Sequence, residues 1–483
     1  MKKFMIFPFF IFLIMSSPVS LSGADDQFAF YVSANGKDTN PGTKEAPFKS
    51  LEKARDAVRL LRSRIEDKPV TVYIHGGIYY MEKAAIFLSE DSGTENNPVV
   101  YKAVEGQEPV FTGSKIIKNW KVLKDRQKLN ILDPSVKGKI YIADLKAAGI
   151  SEFGDPTKAG ERPDLYCNKQ LQTLARWPDG KMTKAGLARG KTALPKTYMG
   201  VNGTKEGLFE YTDKRQDRWA EEADVRLGGY WYWDWAEEYQ KVEEIDTEAR
   251  TILISEPFHQ YGYKDSLRYF GLNLFCEIDK PGEWYIDRSS GMLYWYPPEN
   301  IDPRKAEISL TVFSLPYMLE LRSTSFMIFQ DLTFRESRGS AILVSQGINC
   351  KIADCRIERF GRDGIHIDEG RQNTISGCLL TTFGFGGMKI SGGDRKTLIP
   401  GNHHVENTVV ENFSIFKRTY EPAIHLSGCG HRINNNLFRG SSSSAMRLEG
   451  NDFLIEYNHI ADVVNESDDQ GGIDIFYNPS YQG

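Results

Sequence analysis

Phe329-Gln-Asp-Leu-Thr-Phe334, Ile352-Ala-Asp-Cys-Arg-Ile357, Ile375-Ser-Gly-Cys-Leu-Leu380, Val405-Glu-Asn-Thr-Val-Val410, Ile433-Asn-Asn-Asn-Leu-Phe438 and Ile455-Glu-Tyr-Asn-His-Ile460 are six copies of one pattern. Each opens and closes on an apolar residue. Their starts lie 23, 23, 30, 28 and 22 residues apart. A period in the low twenties is that of a solenoid with one short coil per repeat. The two longer gaps read as loops inserted between regular strands. A second strand follows in every coil: Ile342-Leu-Val344, Ile365-His-Ile367, Met388-Lys-Ile390, Ile424-His-Leu426, Met446-Arg-Leu448 and Ile473-Asp-Ile475. Side chains alternate across a strand, so the outer two residues of each triplet face the interior and the middle one faces out. The fold expected is an all-β right-handed parallel β-helix, with rungs about 4.8 Å apart.

Working outward towards the N-terminus, the first strand is expected at Phe28–Ser33, and an apolar stripe of helical spacing runs through Ser50–Ile65. Short strand-like segments follow at Val70–Ile74, Pro98–Ala103 and Pro109–Thr112. One amphipathic helix ahead of stacked strands suits a cap, because the first coil of a solenoid has an open end to cover. From Lys115 to Leu315 the fixed period disappears and aromatics crowd in, as in Tyr230-Trp-Tyr-Trp-Asp-Trp235. This stretch reads as an inserted, β-sandwich-like module. Its aromatics suit a sugar-binding surface or the interior of a β core.

Residues 1–24 open with Lys2 and Lys3, continue through an apolar run from Phe4 to Met15, and end on small residues. That is the pattern of a signal peptide cleaved after Ala24, too short for a comfortable membrane span. The divisions expected are therefore 1–24 signal peptide, 25–114 cap and first coils, 115–315 inserted module and 316–483 main coils. The predicted location is secreted, periplasmic or cell-surface. An uncapped solenoid end exposes core, so a sequence stopping at Gly483 is expected to be a truncated piece. A formal charge of −5 gives no electrostatic reason to bind nucleic acid. Export permits disulfides, yet none of the six cysteines forms a C-x-x-C pair, so no zinc site is expected. Cys355 and Cys378 occupy the same place in their repeats and read as a structural ladder.

The outward middle positions are Leu343, His366, Lys389, His425, Arg447 and Asp474. Two residues further on come Ser345, Asp368, Ser391, Ser427, Glu449 and Phe476. A solvated polar face is the ordinary explanation for such a column. The run of His, Lys, His, Arg and Asp in consecutive coils argues instead for a binding surface. Diagonal neighbours across strands lie about 7–8 Å apart, which brings Glu449 and Asp474 towards the 5–9.5 Å or so that separates paired glycosidase carboxyls. Arg447 between them favours an ionised carboxylate. Asp468 and Asp469 precede the last strand, on a turn whose glycines let a substrate approach. The catalytic candidates are thus Asp469 and Asp474, then Glu449, and the substrate-binding candidates are His366, Lys389, His425 and Arg447. No metal or cofactor is expected for hydrolysis. His403-His404 lacks a ligand set, and calcium near Asp363, Asp368 and Glu369 belongs only with a lyase reading.

Several stretches resemble a known group. Phe30-Tyr-Val-Ser-Ala-Asn-Gly-Lys-Asp-Thr-Asn-Pro-Gly-Thr43, Ala46-Pro-Phe48 and Leu51-Glu-Lys-Ala-Arg-Asp-Ala57 resemble the start of bacterial pectate-lyase-like β-helix proteins. Asp91-Ser-Gly-Thr94, Ala175-Arg-Trp-Pro178, Gly282-Glu-Trp-Tyr-Ile-Asp-Arg288 and Gly291-Met-Leu-Tyr-Trp-Tyr-Pro297 resemble the branch near glycoside hydrolase families 120 and 141. The resemblance implies a β-sandwich-like insertion and a polysaccharide or oligosaccharide substrate. It also implies a catalytic role for Asp469, because Asp469-Gln-Gly-Gly-Ile-Asp474 resembles the family pattern Asp-x-Gly-Ala-Ile-Tyr, departing at Asp474. Three activities fit: a glycoside hydrolase, a lyase or epimerase using Lys389 or Arg447 as base, and a non-catalytic carbohydrate-binding protein.

Overall fold

The chain winds into a right-handed parallel β-helix whose coils each carry three strands. The computed structural model describes residues 28–64, 68–195, 200–475 and 480; the signal-peptide reading of residues 1–24 lies outside them. The first strand of each coil joins a nine-stranded parallel sheet that starts with Ala29–Val32 and Val70–Ile74 and ends with Leu454–Glu456. The second joins an eight-stranded sheet from Gly77–Tyr80 to His459–Ala461. The third joins another eight-stranded sheet from Ala85–Phe87 to Ile473–Ile475. These are sheets A, B and C below.

Each six-residue repeat contains a corner. Phe329 pairs with Ile352 in sheet A, whereas Thr333 and Phe334 pair with Arg356 and Ile357 in sheet B. The residue between is left-handed in all six repeats: Asp331, Asp354, Asn407, Asn435 and Tyr457 have φ of 56°, 52°, 51°, 58° and 57°, and Gly377 has 65°. Asp, Asn and Gly tolerate that region at little cost, so one residue bends sheet A into sheet B. Beside it runs a buried ladder in the fourth place of the repeat. Cys355 and Cys378 are free and buried, with their thiols against backbone carbonyls of Ala353 and Ser376 at 3.2 and 3.4 Å. Two coils on, Asn436 Nδ2 donates to Val405 O at 3.1 Å while its Oδ1 accepts from Thr408 N at 2.9 Å. Asn458 repeats the first contact on Ile433 O at 2.8 Å. Buried peptide groups at the corner are thereby satisfied.

The interior is filled by the in-facing residues, such as Ile342, Ile365, Met388, Ile424 and Met446, all fully buried. The helix Leu51–Arg62 buries Leu51, Ala54 and Val58 against the first coil, and the Ser50 side chain caps it by accepting from Lys53 N. No helix among the described residues is long and apolar enough to cross a membrane.

The insertion leaves and re-enters one coil. Pro109–Thr112 is that coil's strand in sheet B and Tyr317–Arg322 its strand in sheet C. Between them lie largely antiparallel sheets, including Arg226–Tyr230, Glu237–Asp246, Thr251–Ile254 and Arg268–Leu272. Their cores bury Trp219, Trp231, Trp284 and Trp295. The module docks on loops between sheets B and C. Glu237, 6% exposed, accepts from Arg418 N at 2.6 Å and pairs with Lys417 Nζ at 3.2 Å. Tyr230 OH donates to Glu466 at 3.0 Å.

Candidate active site

Sheet C pairs Glu320, Leu343, His366, Lys389, His425, Arg447 and Asp474 in unbroken register. Ser345 pairs with Asp368, and Ser427 with Glu449. Most of these out-facing side chains are half-buried, while Glu320 is buried and Asp368 exposed.

Two polar clusters divide this column. In the first, Tyr317 OH lies 2.6 Å from His366 Nδ1, and His366 Nε2 lies 3.2 Å from the buried Asp363 carboxylate. Lys389 Nζ stands 3.2 Å from both Asp363 and Glu421. Burial raises the Asp363 pKa, but the His366 hydrogen bond and the Lys389 charge outweigh it and leave it below the usual carboxylate range. Glu421 goes the other way. Burial, opposed by Lys389 and reinforced by Asp363, pushes it up to about 7. Lys389 loses to burial but gains more from Asp363 and Glu421, and its pKa is raised. The three groups share charge so that the lysine stays protonated. A cavity of about 310 Å³ opens over this cluster, lined by Tyr317, His366, Asp368, Lys389 and His425 among others.

The second cluster holds all three predicted catalytic carboxylates. Arg447 Nε lies 2.7 Å from Glu449 and Arg447 Nη1 lies 3.9 Å from Asp474. One guanidinium therefore separates the two carboxylates. His425 Nε2 approaches Glu449 at 3.3 Å. Burial raises Glu449, but Arg447 and His425 bring it below its ordinary pKa. Burial also lowers His425 against the pull of Glu449. For Asp474 burial wins: Arg447 opposes it, Asp469 and Glu449 add to it, and the pKa is raised. Asp469 sits in the left-handed region at φ 58°, on the loop entering the last strand. Tyr420 OH donates to its Oδ2 at 3.1 Å. The same tyrosine ring lies 5.4 Å beneath the Arg447 guanidinium, and burial and Asp469 raise its pKa far enough to keep it a donor.

The sequence thus identifies the column and misses what surrounds it. Tyr420, Glu421 and Tyr317 escape the repeat, and Asp363 enters the sequence reading only beside calcium. The available signal is positional. Asp363, Glu421 and Asp469 all lie a few residues before a sheet C strand, where each loop turns onto the face. Among the described residues, carboxylates at mutual metal-binding distance occur as Asp179, Asp279 and Glu283 in the module, away from this face.

Fold and groove define a right-handed parallel β-helix with a charged cleft on sheet C, walled by an inserted β module. The family described as "Right handed beta helix region" matches residues 317–413. A solved structure described as "Glycoside hydrolase" superposes with a TM-score of 0.57 at 14% identity, covering 90% of this chain and 96% of that one. A complex of XylC with xylose gives 0.43 at 11% identity, covering 93% and 68%. The GH136 lacto-N-biosidase from Eubacterium ramulus gives 0.35 at 8%, covering 90% and 56%. At these identities the likeness is one of fold. No curated protein sequence matches the chain.

Proposed function

We propose that the protein is an exported glycoside hydrolase, cleaving polysaccharide or oligosaccharide fragments with Asp474 as general acid and Asp469 as the second carboxylate. The observation that carries this reading is the convergence of Tyr420, Arg447, Glu449, Asp469 and Asp474 from three successive coils. Two of those carboxylates face opposite tasks. Asp474 has the raised pKa that an acid needs. Asp469 accepts a hydrogen bond from the Tyr420 phenol, which orients its carboxylate. Asp474 delivers its proton to the glycosidic oxygen as the C–O bond breaks. Asp469 attacks the sugar carbon or takes a proton from the attacking water. His425, Lys389, His366 and Arg447 supply hydrogen bonds to sugar hydroxyls along the face.

The lyase or epimerase reading requires a neutral base beside a uronic acid. Lys389 is clamped between Asp363 and Glu421 and its pKa is raised, which holds it protonated. Arg447 is engaged by Glu449 and arginine does not deprotonate in proteins. The test is product analysis on neutral and uronate-containing glycans. Hydrolysis predicts new reducing ends, no ultraviolet-absorbing unsaturated sugar, and indifference to calcium chelation. Unsaturated product that disappears on chelation indicates a lyase. Glycan binding without turnover, unchanged in Asp469→Asn and Asp474→Asn, indicates a non-catalytic protein.

A further inference from the structure

Next to the carboxylates, on the far side of Tyr420, a cleft of about 500 Å³ separates the inserted module from the coils. Its lining includes Trp235, Glu238, His259, Gln260, Lys417 and Tyr420. That volume is in the range of small-ligand sites. We propose that this cleft is a second sugar subsite, in which Trp235 stacks on a neutral sugar unit of an oligosaccharide whose scissile bond lies at Asp469 and Asp474. The inference rests on the hydrolase reading for the position of that bond.

Trp235 is held as a platform. Its ring is stacked on Trp233 at 6.1 Å with planes 10° apart, and Tyr261 and Tyr420 meet it edge-on at 5.3 and 6.3 Å. It remains partly exposed while its neighbours Trp231 and Tyr232 are buried in the module. The aromatic run of the sequence is therefore split between core and cleft. The platform is fastened to the catalytic loop: Asp468 N donates to Asp234 O at 3.2 Å, one residue from each of the groups concerned. Asp234 is anchored in turn by Arg268 at 3.2 Å and Lys264 at 3.4 Å. Tyr420 belongs to both places, with its hydroxyl on Asp469 and its ring edge near Trp235.

The polar groups select against charge. Lys417 is occupied by Glu237 at 3.2 Å. Burial pushes His259 down to about 4, so at neutral pH its imidazole is uncharged; Nδ1 donates to Gly262 O at 3.4 Å, which leaves Nε2 as an acceptor. Glu238 is 46% exposed and contributes acceptor oxygens that repel a uronate. A partly exposed indole with a neutral imidazole, carboxylate acceptors and an ion-paired lysine around it suits the apolar face and the hydroxyl edge of a neutral pyranose.

The test is the dependence of affinity on chain length. Isothermal titration with xylo-, cello-, manno- and galacto-oligosaccharides of one to five units is run on the full chain carrying Asp469→Asn to prevent turnover. At least one series is expected to gain about tenfold in affinity on adding the unit that reaches the cleft, and Trp235→Ala is expected to erase that step. Trp235→Phe, which keeps a ring, retains most of it and guards against misfolding. A step that survives Trp235→Ala in folded protein, or affinity independent of length in every series, overturns the subsite. The hydrolase reading fails separately: a chain-length step without release of reducing ends from any substrate upholds the cleft and removes the chemistry.

Discussion

Asp474 and Asp469 occupy the same loop-and-strand element yet experience different surroundings, and the pH dependence of turnover follows from the difference. In the proposed hydrolysis Asp474 acts while protonated, so activity is expected to fall on the alkaline side as pH climbs through its raised pKa. Glu449 is one of the charges that raise it. Glu449→Gln removes that charge and releases Arg447, so the alkaline limb of a kcat/KM profile is expected to move to lower pH. Glu421 supplies a stability counterpart. Its pKa is raised to about 7 in the folded chain, against about 4.3 for an ordinary glutamate. The folded state therefore holds a proton that the unfolded state has lost. The stabilisation is complete below the unfolded value and is lost as pH rises to about 7, with a slope of up to about 1.4 kcal/mol per pH unit. Thermal unfolding followed from pH 5 to 8 (roughly the span of that transition) is expected to show the decline in wild type and a flatter curve in Glu421→Gln.

At the level of the strand and its corner, the ladder is the element most exposed to test. Asn436→Ala strips the Val405 carbonyl and the Thr408 N–H of their partner inside a buried corner. The expected loss is about 1–3 kcal/mol by urea unfolding, and a surface substitution such as Lys351→Ala provides the contrast. The same element explains what was readable from the sequence. Ile365-His-Ile367 and its counterparts reveal sheet C because apolar residues flank one variable residue, buried in the earlier coils though exposed at Ile473 and Ile475 in the last, and that alternation survives loops of any length. Sheets A and B are merged into a single six-residue segment in the sequence, since only one left-handed residue, such as Asp331 or Asn435, parts them. Tyr420 and Glu421 were illegible for a different reason. They lie in B-to-C loops whose lengths vary, so no period brings them over Asp363 or Asp469. Their roles depend on contacts that arise only when loops from neighbouring coils stack.

Across the whole molecule, the site belongs to two bodies that the sequence places far apart. Carboxylates come from the last described coils, while the Trp233–Trp235 wall comes from a module inserted in an early coil. Glu237 joins them through Arg418 N, Thr419 N and Lys417. Glu237→Ala leaves buried donors unpaired and loosens the dock. Hydrogen exchange is expected to rise together in residues 230–237 and 414–420 while protection in residues 351–383 holds, and affinity for the longer oligosaccharides is expected to fall with it. Exchange confined to one side would mean that the two bodies are not coupled through this residue.

The assignment of Asp474 and Asp469 to distinct steps is tested most directly by turnover of aryl glycosides with leaving groups of graded acidity, in wild type, Asp469→Asn and Asp474→Asn. Once an active sugar is found, each substitution is expected to cost about 10²–10⁴-fold with a poor leaving group. The Asp474→Asn deficit is expected to shrink as the phenol becomes more acidic and needs no proton, whereas the Asp469→Asn deficit persists. Turnover by both variants within threefold or so of wild type across the series would contradict the account.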